Sequence, residues 1–201
     1  MARAPKTPRA WQRMLSGRRL DLLDPSPLDV EIEDVAHGLA RVARWNGQTS
    51  GEHIFSVAQH SLLVEAVARQ LRIGLPDRTC LAILLHDSAE YVIGDMISPL
   101  KAVLNDTYKP VEARILGAVM IRFGLPPVFP RDVATLAKQA DGVAAHHEAV
   151  ELAGFSPAEA RTFFGAPVPL DQEVRSLLRP WSADLAKMRF LARFRQLAGE
   201  G

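Results

Sequence analysis

Apolar positions recur at helical spacing along most of this chain. Residues 32–43 place Ile32, Val35, Leu39 and Val42 on one face, with Glu33 and Asp34 near the start, and predict a helix. Residues 54–72 predict a longer one, with Val57, Leu62, Val64, Val67, Ala68 and Leu71 on its buried face and Gly74 and Pro76 ending it. Residues 77–92 are apolar on nearly all sides, which puts that helix in the centre of a domain. Gly94 and Pro99 break the next stretch, which reads as a loop or short turn. Further helices are expected near 107–123, 130–151, 156–164 and 182–199. The run Ser156-Pro157-Ala158-Glu159 is a helix start, with a capping Ser, a Pro in the first turn and a Glu three residues on. Strand signals are weak and no repeat appears. The pattern predicts an all-α single domain.

Composition changes this picture little. A chain of 201 residues, 48% hydrophobic and 23% charged, has the make-up of one soluble globular domain. A net charge of +1 leaves no nucleic-acid footprint. Arg3, Lys6, Arg9, Arg13, Arg18 and Arg19 make residues 1–19 a basic arm, read as flexible solvated chain ahead of a domain over 20–201. A contact with nucleic acid or lipid is the alternative use of that arm. No apolar stretch follows it, so it does not read as a targeting peptide. The single cysteine, Cys80, stands beside Leu81, Ala82 and Ile83 and reads as a buried thiol. One cysteine permits no intrachain disulfide, which suits a reducing, cytoplasmic setting. No run approaches the ~18 apolar residues of a membrane span.

The candidate chemistry lies inside the apolar segments. His86 and Asp87 stand together in LAILLHDSAE, with Glu90 three residues on; His60 lies in VAQHSLLV, and Asp141 between LAKQA and GVAA. A carboxylate buried alone is very costly, whereas a cation with hydrogen bonds compensates it. On a helix, neighbours point about 100° apart, so His86 and Asp87 can flank one ion lying between them. Two imidazoles and two carboxylates drawn from three helices suit a divalent transition metal and leave room for water. Each residue also has a plainer reading: a His86–Asp87 pair hydrogen-bonded without metal, a core histidine at 60, a surface carboxylate at 141.

These residues resemble the HD-domain metal-dependent phosphohydrolases, and within them the small bacterial branch of 5'-deoxynucleotidases and related deoxynucleoside triphosphate hydrolases. The likeness runs over roughly residues 30–150. It rests on Arg44-Trp45, on His60 in SVAQHS, on HDSAEYVIGDMISPLK from His86 to Lys101, and on Asp141. It implies an HD-domain helical bundle in which His60, His86, Asp87 and Asp141 bind one divalent metal. Manganese, cobalt, zinc, iron, nickel and magnesium are all candidates, and mixed nitrogen and oxygen ligands disfavour magnesium. It further implies that Glu90 is the general acid/base or orients the attacking water. Arg44 would hold phosphate, Trp45 would wall the nucleoside side and Asp95 would hold the sugar near the 5' oxygen. Lys101 would add positive charge. Departures are Gln59, where the deoxynucleotidases often carry Glu, the loop Asn46-Gly47-Gln48, and the extra His37 and His53; His53 is a candidate phosphate contact. His146 and His147 do not read as ligands.

The resemblance therefore leads to an expected function: metal-dependent hydrolysis of (deoxy)nucleoside 5'-monophosphates to nucleoside and phosphate, by a homodimer whose partner is a small nucleotide. A deoxynucleoside triphosphate triphosphohydrolase is the alternative within the same chemistry. A cyclic-nucleotide phosphodiesterase, a non-catalytic nucleotide-binding module and a purely structural helical domain are the others.

Overall fold

The computed structural model describes residues 9–199. It opens with a short antiparallel hairpin, β1 (Trp11–Arg13) and β2 (Arg19–Asp21), in which Gln12 faces Leu20. The rest is helical: α1 (Ile32–Leu39), α2 (Val57–Leu71), α3 (Asp77–Leu84), α4 (Glu90–Ile93), α5 (Ser98–Val103), α6 (Asn105–Arg122), α7 (Arg131–Glu151), α8 (Pro157–Phe164), α9 (Gln172–Ser176) and α10 (Ala183–Ala198). A single-turn 3-10 helix covers Pro27–Asp29, and Arg44–Gly47 make a tight turn whose last three residues have positive φ. The described residues thus form one all-α domain with a minor two-stranded sheet. No helix among them is long and apolar enough to cross a membrane.

The centre of the domain is α2, which packs against α3, α7 and α10. Its buried residues run from Val57 through Glu65 and on to Val67 and Ala68, so it has almost no solvent face. Ser56 caps its start by accepting a bond from the Gln59 amide. Around it lie the fully buried Phe55, Ile83, Leu84, Leu85, Met120, Phe190 and Phe194. Burying a side chain of this size contributes about 1.5–3 kcal/mol.

Several expected elements take a different form. The helix expected over 77–92 stops at Leu84. The chain then passes through turns closed by i→i+3 bonds, His86 N to Ile83 O and Ser88 N to Leu85 O, before α4 begins at Glu90. His86 and Asp87 therefore sit on a break between two helices, not on a helix face. The stretch expected as a loop after Gly94 contains α5, started by Pro99 in its first turn. The helix expected over 32–43 ends at Leu39, because the chain must turn to pair Ala43 with Ser56. The short α9 carried no clear periodicity.

The expected basic arm is ordered where it is described. Residues 11–13 pair with 19–21, the guanidinium groups of Arg9, Arg13 and Arg19 lie 4.4–5.6 Å from the centre of the Trp11 ring, and Arg18 pairs with Glu31 at 2.8 Å. An apolar ring that offers its face to cations has folded this part of the arm back on itself. Residues 1–8 of the expected arm lie outside the described residues.

One close approach fixes where α4 sits. A Cβ on Gly38 of α1 would lie 2.6 Å from the Tyr91 carbonyl oxygen and 2.8 Å from the Tyr91 Cβ. Only a glycine lets the two backbones meet, and the residue before Tyr91 is Glu90. Gly38→Ala should destabilise the fold by about 1–3 kcal/mol through overpacking. The expected readout is a lower denaturant midpoint at unchanged slope; an unshifted midpoint would show that α1 and α4 have room to spare.

Candidate metal centre

Three helical segments bring the candidate ligands together. His60 lies one turn into α2 and is wholly buried. His86 and Asp87 occupy the break after α3, and Asp141 lies midway along α7, which packs on α2. His60 Nε2 is 3.3 Å from Asp141 Oδ1 and 3.4 Å from Asp87 Oδ2; His86 Nε2 is 3.1 Å from Asp87 Oδ2. His60, His86 and Asp141 each offer a ligand atom within 4.8 Å of the others. Bonds of 2.0–2.2 Å at tetrahedral angles would set ligand atoms about 3.4 Å apart, the scale of the spacings to the two aspartates.

The protonation pattern shows what this point is built for. His86 Nδ1 lies 2.9 Å from the Ile83 carbonyl oxygen, which only accepts, so that nitrogen carries the proton. His60 Nδ1 lies 2.6 Å from Glu148 Oε1. The Arg44 charge, the His60 charge and bonds from His60 and Trp45 hold the Glu148 carboxyl at about 2 against burial, so it too accepts. In neutral imidazoles both Nε2 atoms are then bare lone pairs, and both are buried with no hydrogen-bond partner. Leaving such an atom unsatisfied costs about 1–3 kcal/mol. Lone pairs converging on carboxylates are satisfied by a positive charge between them, and His60, His86 and Asp141 can hold a metal ion.

The electrostatics agree. Burial and the Arg44 charge push the His60 imidazole down, yet Glu148, Asp141 and Asp87 together hold its pKa well above the usual histidine value. Against burial, His86 and His60 hold Asp87 far below the carboxylate range, and His60 holds Asp141 below it. The centre selects positive charge, whether proton or cation.

Of the other expected site residues, Arg44, Trp45, Glu90, Asp95 and Lys101 lie near this point and His53 does not. The Ala43–Ser56 bridge, reinforced by Arg44 N to Phe55 O at 2.8 Å, pinches the base of the 44–55 loop and sets Arg44 beside the start of α2. Its guanidinium donates to Glu148 at 3.2 and 3.3 Å and lies 3.5 Å from Asp95. Trp45 takes a left-handed backbone, φ 56°, as does Asn46 at 50°. Such conformations cost a bulky residue roughly 1–3 kcal/mol. The Trp45 indole donates to Glu148 at 2.9 Å and packs against Phe155 and Phe164.

Glu90 is buried. One of its oxygens takes a bond from Lys101 at 3.1 Å and the other has no partner. Burial, Asp87 and Asp95 push its carboxyl up to about 9, against Lys101 and Arg44. It is therefore a neutral acid at neutral pH. Lys101 is shared between Glu90 and Glu112, and with Glu90 neutral the Glu112 and Asp87 carboxylates favour its protonated form against burial. His53 is exposed in the loop before α2 and makes no hydrogen bond or ion pair with the other site residues; the structure does not bring it into the cluster. His37 is half-buried at the end of α1. His146 and His147 bond to the Gly165 and Val168 carbonyls, away from the ligands.

Two residues with large roles escaped the sequence reading. Glu148 is wholly buried and bonds His60, Arg44 and Trp45. Its signal was its spacing, seven residues after Asp141, which returns it to the same helix face. Gln59, read only as a departure, donates to the Leu177 and Arg179 carbonyls, both at 2.7 Å, and accepts from the Trp181 amide at 3.0 Å. It ties the C-terminal segment to α2. A carboxylate there would set an acceptor against two carbonyls.

No family model matches the chain. It is 57% identical over 162 residues to the uncharacterized protein RCAP_rcc00048 of Rhodobacter capsulatus, covering 81% of this chain and 83% of that one. It is 34% identical over 105 residues to the uncharacterized protein YfdR of Escherichia coli, covering 52% and 53% respectively.

Metal binding at this centre should depend on pH. A metal needs the neutral imidazole, so protons compete with it. Because His60 is held above the usual value of about 6.5, affinity should weaken as pH falls, beginning above the ordinary histidine range. Calorimetry in buffers of different ionisation enthalpy should show protons released on binding. His86→Ala should abolish stoichiometric binding; full binding by that variant would remove His86 from the centre.

Proposed function

We propose that this chain, which belongs to one family with the uncharacterized Rhodobacter capsulatus protein, is a metal-dependent phosphohydrolase of the HD-domain type acting on (deoxy)nucleoside 5'-monophosphates, a reading that rests on the geometry of its site and not on that relative. The observation that carries this reading is the pair of buried, unpartnered Nε2 atoms facing Asp141 and Asp87. Asp87 is the fourth ligand in it, and His60, His86 and Asp141 are the others. A divalent cation held there supplies Lewis acidity toward a phosphate oxygen and an acidified water.

The chain's own residues supply the rest. Arg44, half-buried and already aimed at carboxylates, holds the phosphate by forked hydrogen bonds. It reaches phosphate by exchanging its 3.5 Å contact with Asp95 while keeping Glu148. Trp45 walls the nucleoside side, extended by Phe155 and Phe164. Glu90 carries a proton at neutral pH and has one free oxygen, which suits delivery of that proton to the departing 5' oxygen. A cation beside Asp87 offsets part of the repulsion that raises Glu90 and brings its pKa toward neutrality. Lys101 sets the Glu90 carboxyl and adds positive charge at the rim. Asp95, freed from Arg44 when phosphate binds, holds the sugar. A homodimer in the cytoplasm, with a nucleotide as its small-molecule partner, completes the reading.

The test is a panel of deoxy- and ribonucleotides with Mn²⁺, Co²⁺ or Zn²⁺ and identification of products. Orthophosphate and nucleoside support the proposal; triphosphate release assigns the triphosphohydrolase reaction instead, and no turnover with any metal overturns both. Glu90→Gln should lower kcat roughly 10²–10⁴-fold with metal content unchanged. In the metal-loaded wild type, activity should fall as pH rises above neutrality and below the metal-free value of about 9, because the neutral acid is then lost. An unchanged alkaline limb in Glu90→Gln would remove Glu90 from proton transfer.

A further inference from the structure

Glu148 is a carboxylate of this region that faces away from the ligand point, and it is buried as deeply as His60. Its two oxygens do different things. Oε1 accepts from His60 Nδ1 at 2.6 Å, while Oε2 accepts from Arg44 Nε at 3.3 Å, Arg44 Nη2 at 3.2 Å and Trp45 Nε1 at 2.9 Å. One oxygen serves the metal ligand and the other serves the arm that carries Arg44 and Trp45. That arm is also where the backbone is strained, with left-handed Trp45 and Asn46 in succession. Such strain persists only where surrounding contacts hold it, and the indole bond to Glu148 is one of those contacts.

We infer that Glu148 is a positioning residue that both sets His60 for metal binding and holds the Arg44–Trp45 arm in place, so that a metal at His60 is sensed at Trp45. The physical reason is the donor count. Every neighbour of Glu148 is a donor, and four donor bonds need two acceptor oxygens. By accepting the Nδ1 proton of His60, the carboxylate leaves Nε2 free to bind a cation, and it strengthens the imidazole as a ligand. A metal drawing charge from His60 tightens the Nδ1–H bond to Oε1, and the same carboxylate group carries the change to Oε2 and the arm. An amide cannot do this. With its oxygen toward His60, Gln presents NH₂ to Arg44 and Trp45; turned over, it presents NH₂ to Nδ1 and drives His60 to the tautomer that blocks Nε2. The inference rests on the metal-binding part of the proposed function and is independent of which phosphate ester is cleaved.

The test uses the full chain with Trp11→Phe and Trp181→Phe, which leaves Trp45 as the only indole of three. Zn²⁺ is titrated with calorimetry and Trp45 emission read in parallel. The parent should bind Zn²⁺ with an emission shift at the calorimetric midpoint. Glu148→Gln should bind Zn²⁺ roughly 10–100-fold more weakly, and its Trp45 emission should no longer follow the metal. Glu148→Asp keeps the charge but is shorter by one methylene, so it reaches His60 or the arm and not both. It should uncouple the two signals, and it decides the matter if Glu148→Gln does not fold by circular dichroism. A merely structural role would lower thermal stability while leaving Zn²⁺ affinity and the emission response in step. Parental affinity and response in a folded Glu148 variant overturn the inference, as does a Trp45 signal that stays flat while the parent saturates. A parent that binds no Zn²⁺, Mn²⁺ or Co²⁺ overturns the metal centre itself and this inference with it.

Discussion

Charge in the middle of an apolar helical domain is the constraint around which this protein is arranged. Asp87, Glu90, Asp95, Asp141 and Glu148 converge on a region floored by α2, one of the most buried helices of the fold. Unpaired, each would be expensive. The structure disposes of them differently. Glu148 is ionised and saturated by donors, Glu90 is held neutral, and Asp87 and Asp141 are left facing the Nε2 atoms of His60 and His86. Two of the five are thus poised for an external positive charge, and the others are positioned to support it.

The scaffold makes this division possible through a few local devices. The end of α3 at Leu84 lets His86 face His60 across 5.4 Å between ring centres, while Asp87 still reaches both imidazoles. Gly38 lets α1 and α4 approach backbone to backbone, which sets the start of α4 and so Glu90. The Ala43–Ser56 bridge folds a loop back over α2 and delivers Arg44. Gln59, beside His60 in sequence, holds the 177–181 segment rather than the site. Adjacent positions on α2 therefore serve stability and chemistry separately. A polar side chain buried in a helix can do the first only if all its bonds are met.

Much of this was legible in the chain. The expected helices over 54–72, 107–123, 130–151, 156–164 and 182–199 match α2, α6, α7, α8 and α10 within a few residues, because apolar periodicity and capping residues act locally. The Ser156–Glu159 capping box formed as expected. His60, His86 and Asp141 stood out as polar groups in apolar surroundings; of the three His60 is wholly buried, His86 is partly buried, and the Asp141 side chain keeps 43% exposure. The break at 85–89 was not legible, since LAILLHDSAE has no Gly or Pro and its i→i+3 turns arise from packing. The hairpin was missed because its stabilisation comes from cations around one ring and from pairing too short to show alternation.

Residue types and periods determined the helices, their ends and which charged groups had to be buried, since propensity, capping and hydrophobic spacing operate within a turn or two of chain. Tertiary structure alone decided which of those charges meet. Glu148 lies 88 positions from His60 and 104 from Arg44, and nothing local to any of them signals the encounter. The protonation of each group followed from that encounter, because an ionisable side chain takes its pKa from the charges and the solvent within a few ångströms and not from its neighbours in sequence.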